Sequence, residues 1–149
     1  MKIQEIIKST GLVTIVHTNR DGIILNNFTV PNLVTTSGKN HIAAKIAAIT
    51  NSPVSMTHMA IGTDITTAAV EQTVLGTEAG RVALSTSTVS TNTITYTATF
   101  PAGTGTGAIT EAGIFNNVTT GTMLCRTTFP IVNKSSGDSI AITWVVTVS

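Results

Sequence analysis

A chain of 149 residues has the length of one domain with one sizeable core. Its formal net charge is +1 and only 10% of its residues are charged, against roughly 25% in an average soluble domain, so no electrostatic footprint for nucleic acid or an anionic membrane exists. The single cysteine, Cys125, excludes an intrachain disulfide and a cysteine-based metal cluster, and its strand-like surroundings predict a buried, inert thiol.

The first segment, MKIQEIIKSTGLV, carries Glu5 inside its only apolar stretch and has no signal-peptide pattern. No run reaches the ~18 apolar residues of a membrane span, so synthesis in the cytoplasm is expected, with residues 1–9 as a possible N-terminal arm on a single domain of residues 1–149. Leu12–His17 and Ile23–Val30 read as strands around an Asp21-Gly22 turn, and Pro31 ends the second or marks it as an edge. One short helix is predicted over about residues 38–50. Ser37 is its candidate cap, Ile42, Ile46 and Ile49 form its apolar face, and Asn51 with Pro53 stops it. Lys39 and Lys45 project elsewhere and are candidate subunit contacts.

VSMTHMAIG reads as a strand entering the interior, and residues 63–81 as a loop with one helical turn near Ala68–Thr73. From Arg81 the chain is β. RVALSTSTVS and TNTITYTATF are separated by a short polar turn. In the second, Ile94, Tyr96, Ala98 and Phe100 alternate with Thr93, Thr95, Thr97 and Thr99, which predicts a strand with one buried and one threonine face. GAITEAGIF, TMLCRTTFPIV and DSIAITWVVTVS continue the series, the last with Ile140, Ile142, Trp144, Val146 and Val148 on one side. The fold class is mainly β: an antiparallel sandwich or open barrel with one short helix.

The run GTGTGA satisfies Gly103-x-Gly105-x-x-Ala108, the letter of a dinucleotide fingerprint. That motif needs a helix after its glycines and an acidic residue about 20 positions on; AITEAGIFNN is β-like and GTMLCRTTFP has no acid. The glycines are therefore read as a tight hairpin, with Gly103, Gly105 and Gly107 as candidate subunit contacts. Nothing resembles a nucleophile elbow. His17, His41 and His58 have no orienting carboxylate in sequence and no ligand spacing. Glu78 and Glu111 stand in glycine-rich segments of low charge, and pairing with Arg81 or Arg126 would pin strands together. No catalytic residue, cofactor or metal is expected, and scarce aromatics argue against single-stranded nucleic acid.

Taken in order, VPNLVTTSGKNHIAAKI, MTHMAIGTD, TVLGTEAGRVAL, ITYTATFPAGTGTGAITEAGIFNN and GTMLCRTTFPIVNKSSGDSIAITWVVTVS resemble short structural proteins of tailed bacteriophages. The stretch around ITEAGIF is similar to the N-terminal domains of tail-collar fibre proteins, where a strand with an acidic residue, a glycine and an apolar pair packs the core. The resemblance implies a non-enzymatic building block of the virion, and the chain lacks the repetitive shaft and heptads of a true fibre. The leading expectation is a capsid decoration or cement protein, forming homo-oligomers and adhering to the major capsid protein through many modest contacts. The alternative is a tail, collar or fibre-adaptor protein among other tail proteins; a receptor- or carbohydrate-binding module is a third reading.

Overall fold

The computed structural model describes residues 1, 4–47 and 50–149. In chain order it contains β1 (Ser9–Thr18), β2 (Ile24–Pro31), β3 (Leu33–Val34), α1 (Thr36–Ala47), β4 (His58–Gly62), β5 (Glu78–Ala83), β6 (Thr86–Ser90), β7 (Thr93–Phe100), β8 (Gly107–Phe115), β9 (Met123–Lys134) and β10 (Ser139–Val148). Ten strands form two five-stranded sheets, ordered β2-β1-β10-β7-β6 and β3-β9-β8-β4-β5. All pairings are antiparallel. The fold is thus mainly β, with two unclosed sheets facing each other as a sandwich and one short helix.

Period-two alternation explains how the sheets meet. Ile140, Ile142, Trp144 and Val146 of β10 are buried, as are Tyr96, Ala98 and Phe100 of β7. They meet Ile109, Ala112 and Ile114 of β8 and Met59 and Ile61 of β4 in one continuous core. Each fully buried side chain of this size contributes roughly 1.5–3 kcal/mol. Val148 leaves the pattern: it is half-buried at the open end of the sandwich. Cys125 is wholly buried, and burial pushes its thiol well above the ordinary range, so it stays a protonated core group.

Several local expectations change. The helix is capped by Thr35, not Ser37: Thr35 Oγ1 accepts the Gly38 N–H at 3.0 Å and donates to the Met123 carbonyl at 2.8 Å. Ser37 lies inside the first turn, its hydroxyl 3.0 Å from the same carbonyl. Anchoring on β9 decides where the helix starts. The described helix runs to Ala47, and Ile49 lies outside the described residues. Residues 68–73 hold a turn closed by Gln72 N–H to the Ala69 carbonyl, without a helix. The RVALSTSTVS stretch is divided: β5 belongs to the second sheet and β6 to the first, so the chain crosses between sheets at Leu84–Ser85.

The glycine run is a second crossing and not a hairpin, because β7 and β8 lie in different sheets. Gly103 N–H donates to the Ser136 carbonyl at 2.8 Å, and Lys134 Nζ donates to the Pro101 carbonyl at 3.0 Å. Gly105 is buried at φ +65°, where a Cβ would stand 2.5 Å from Ile61 Cδ1. It therefore packs on its own core, leaving exposed Gly103 as an outward-facing residue of the loop. Gly105→Val adds a left-handed backbone penalty to an overpacked contact. Chemical denaturation is expected to show a loss of about 2–4 kcal/mol; an unchanged midpoint would contradict this packing.

Candidate functional site

The densest polar constellation lies on the outer face of the second sheet. Along β8, Ala112 and Ile114 point into the core, so Glu111, Gly113 and Phe115 point outward. The Glu111 side chain is nevertheless fully buried, because residues 63–77 fold over it. Its Oε1 accepts the N–H groups of Thr77 at 2.8 Å and Asp64 at 3.1 Å. Its Oε2 accepts the Gly76 N–H at 3.0 Å and Arg126 Nε and Nη2 at 3.0 and 2.9 Å.

Arg126 is equally buried. Beyond Glu111 it donates from Nη1 to the Thr66 carbonyl and Gln72 Oε1, each at 2.9 Å, and from Nη2 to Asp64 Oδ2 at 3.3 Å. Those contacts engage all five N–H groups of a guanidinium. Leu75 closes the cover over Gly113, where a Cβ would stand 3.0 Å from Leu75 Cδ2. Beside it, Arg81 pairs with Glu78 at 2.7 Å and lies over the Phe115 ring, 3.8 Å from its centroid. Arg81 Nη1 also donates to the carbonyls of Asn117 and Thr120, both at 2.9 Å. This arrangement has no open position for a substrate; it fastens loops to a sheet.

At one end of the sandwich His17 makes a second buried cluster. Its Nε2 lies 2.9 Å from Asp138 Oδ2 and its Nδ1 lies 3.0 Å from Asn26 Oδ1. The expectation that His17 lacks a carboxylate is corrected: Asp138 supplies one from 121 residues away. Asp138 also accepts the Ser135 N–H at 2.9 Å, and Lys134 Nζ donates to the Asp138 carbonyl at 2.7 Å. His41 and His58 lie on α1 and β4, and no group of three His, Cys, Asp or Glu side chains suited to a metal occurs among the described residues.

An accessible concavity lies elsewhere, between α1 and the ends of β1, β7 and β10. Two adjoining hollows of about 520 and 230 Å³ share Ile42, Ile46 and Val148 as apolar lining. Ile6 and Ile7 flank the larger, and Ile94 and Tyr96 floor the smaller. Lys8 and Lys39 line the larger hollow and Lys45 the smaller. None of the three has a carboxylate partner among the described residues, whereas Arg20, Arg81 and Arg126 do. His41 lines the smaller hollow too; burial, with Lys45 nearby, holds it below its ordinary range, so it adds no charge at neutral pH.

The described residues therefore make a β-sandwich whose buried polar groups fasten structure and whose surface carries an apolar trench edged by lysines. Residues 27–148 match the family of the phage tail-collar fibre protein, N-terminal. The chain belongs to that family, and it is a phage structural protein of the tail-collar fibre type. No curated protein and no solved structure matches it. The family implies a place in the virion and association with other phage tail proteins. No helix among the described residues is long and apolar enough to cross a membrane.

Two outcomes follow from the polar clusters. Arg126→Met leaves Glu111 as a buried, uncompensated charge and is expected to cost about 3–5 kcal/mol. Adding Glu111→Gln should restore part of that loss in urea unfolding, since the stranded charge is gone. Full additivity would contradict the coupling. The second outcome concerns acid. The N–H and hydroxyl of Thr66, helped by Arg126, hold Asp64 below the ordinary 3.8, and hydrogen bonds from His17 and Ser135 do the same for Asp138. Their stabilisation is present at neutral pH, fades as pH falls to about 3.8 where the unfolded chain takes up protons, and is lost below the depressed native values. Asp138→Asn should flatten the acid limb of a stability-against-pH curve, and an unaltered limb would count against this account.

Proposed function

We propose that this chain is a tail-collar structural subunit that seats on another tail protein through the trench beside α1, without enzymatic activity. The family match over residues 27–148 carries the reading; it favours the tail over the capsid surface that the sequence alone put first. The trench supports it with a suitable site. Its apolar floor and Lys8, Lys39 and Lys45 at its edge, which have no carboxylate partner among the described residues, complement a segment that is apolar on one side and acidic on the other. Ile46 is 78% exposed and Ile7 likewise 78%, so an occupant would cover isoleucines that now meet water.

Virions carrying this chain provide the test. Gold-labelled antibody should mark the tail in a small number of copies per particle, and labelling over the whole head would return the capsid-decoration reading. The charge-reversed pair Lys39→Glu and Lys45→Glu should retain cooperative unfolding while its incorporation into tails falls at least tenfold; undiminished incorporation would exclude the trench as the seat.

A further inference from the structure

The first sheet is left unfinished at the end that carries the trench. β1 starts at Ser9, but its neighbour β2 ends at Pro31, opposite Leu12. Asn32 still donates its N–H to the Gly11 carbonyl at 3.1 Å, and the chain then leaves for β3 in the second sheet. On its other flank β1 stays paired past its own start. Ser9 faces Val148, and Lys8 and Ser149 each donate a main-chain N–H to the other's carbonyl. The stretch before Gly11 therefore has a partner strand on one side and, among the described residues, none on the other.

Parity decides which groups stand open. Successive residues of a strand point their main-chain N–H and C=O groups to alternate sides. Gly11 points its carbonyl to the β2 side and Lys8 turns to Ser149, so the N–H and carbonyl of Ser9 point to the vacant side. In an extended chain Ile7 follows the same parity. The larger hollow lies along this edge: Ile6, Ile7, Lys8, Ser9 and Thr10 all line it, whereas a hollow on one face of a strand meets only every second residue. Five residues span about 17 Å at about 3.3 Å each. Its other wall is α1, through Lys39, Ile42 and Ile46.

We infer that this hollow is a vacant strand position, filled in the virion by an extended segment of another tail protein that adds to the edge of residues 7–9 where β2 leaves off. The inference rests on the trench being the seat and adds the form of its occupant. The occupant's main chain bonds to Ser9 and Ile7, and its side chains alternate. Apolar ones meet Ile42 and Ile46, and acidic ones lie within reach of Lys8 and Lys39. A helix satisfies its own main chain, so a helix in this place would cover the Ser9 groups and leave them without a partner, at a desolvation cost.

Amide hydrogen exchange at single-residue resolution tests this without any variant. In the purified chain the Ser9 amide should exchange at least tenfold faster than that of Lys8, which is bonded to Ser149. In assembled tails it should be slowed at least tenfold. A Ser9 amide that stays fast in tails overturns the strand, and one already slow in the purified chain means that this chain or a second copy fills the position, which overturns it too. Ser9→Pro deletes the N–H on the open side and leaves the pairing with β10 intact. It should unfold cooperatively while its incorporation into tails falls at least tenfold, whereas Ser9→Ala, which keeps the N–H, should incorporate normally. An equal defect in Ser9→Ala would assign the loss to the hydroxyl and overturn the inference. If the pair Lys39→Glu and Lys45→Glu loses incorporation but a folded Ser9→Pro does not, the trench remains the seat and the strand is overturned. Undiminished incorporation in both cases overturns the seat as well. Should Ser9→Pro fail to fold, the exchange comparison decides alone.

Discussion

The buried carboxylate of Glu111 is the constraint around which the second sheet is organised. A carboxylate without solvent is sustainable only with its charge matched and its lone pairs filled. Arg126 supplies the charge, and the N–H groups of Asp64, Gly76 and Thr77 fill the remaining acceptor sites. Those three amides stand at the two ends of one loop, so satisfying Glu111 fixes both ends of the cover in a single step. Arg126 then holds the middle through Thr66 and Gln72. A loop of this length with no helix or strand of its own would otherwise be an entropic liability; here it becomes the outer wall of a sheet.

The consequences spread along β8. With the loop in place, Leu75 lies on Gly113 and Phe115 lies under Arg81, so residues on the outer side of the strand are as buried as those facing the core. This explains why Glu-Ala-Gly-Ile-Phe occurs as a unit: Ala112 and Ile114 serve the sandwich core, while Glu111, Gly113 and Phe115 serve the cover. Residues 63–77 thus give the second sheet a small satellite core of Ala60, Leu75, Phe115 and Met123. The helix is different. It is anchored at its start by Thr35 and Ser37 on the Met123 carbonyl, and its later turns lean over the sandwich end without filling it.

Strands were legible because alternation survives in the letters: Thr93–Phe100 and Ser139–Val148 show it along most of their length. Membership of a sheet was not. Leu84–Ser85 lies inside RVALSTSTVS, which reads as one continuous stretch, and Pro101–Thr106 reads as a hairpin turn, yet each carries the chain from one sheet to the other. A crossing this short leaves no local pattern; which partner strand waits on the far side is settled by long-range packing. The low charge density directs attention to Glu111, Arg126, Glu78 and Arg81. Asp64 and Gln72 carry no such signal, because a ligand to a guanidinium from a loop 62 or 54 residues away has no local pattern. His17 and Asp138 meet for the same reason, across 121 residues.

The sparse charge takes on a definite meaning once the ions among the described residues are located. Arg81 and Arg126 are paired and hold loops, Lys134 is bound to the Pro101 and Asp138 carbonyls, and Asp64 and Asp138 serve as acceptors within the same clusters. Much of the charge is therefore engaged inside the molecule, and little is left for the solubility that surface charge normally gives. Lys8, Lys39 and Lys45 line one apolar trench, and the five strands of the first sheet contain no lysine, arginine, aspartate or glutamate. A monomer living alone in water gains nothing from that distribution. A structural subunit makes better sense of it, since a small basic patch beside an apolar trench keeps a contact selective by charge.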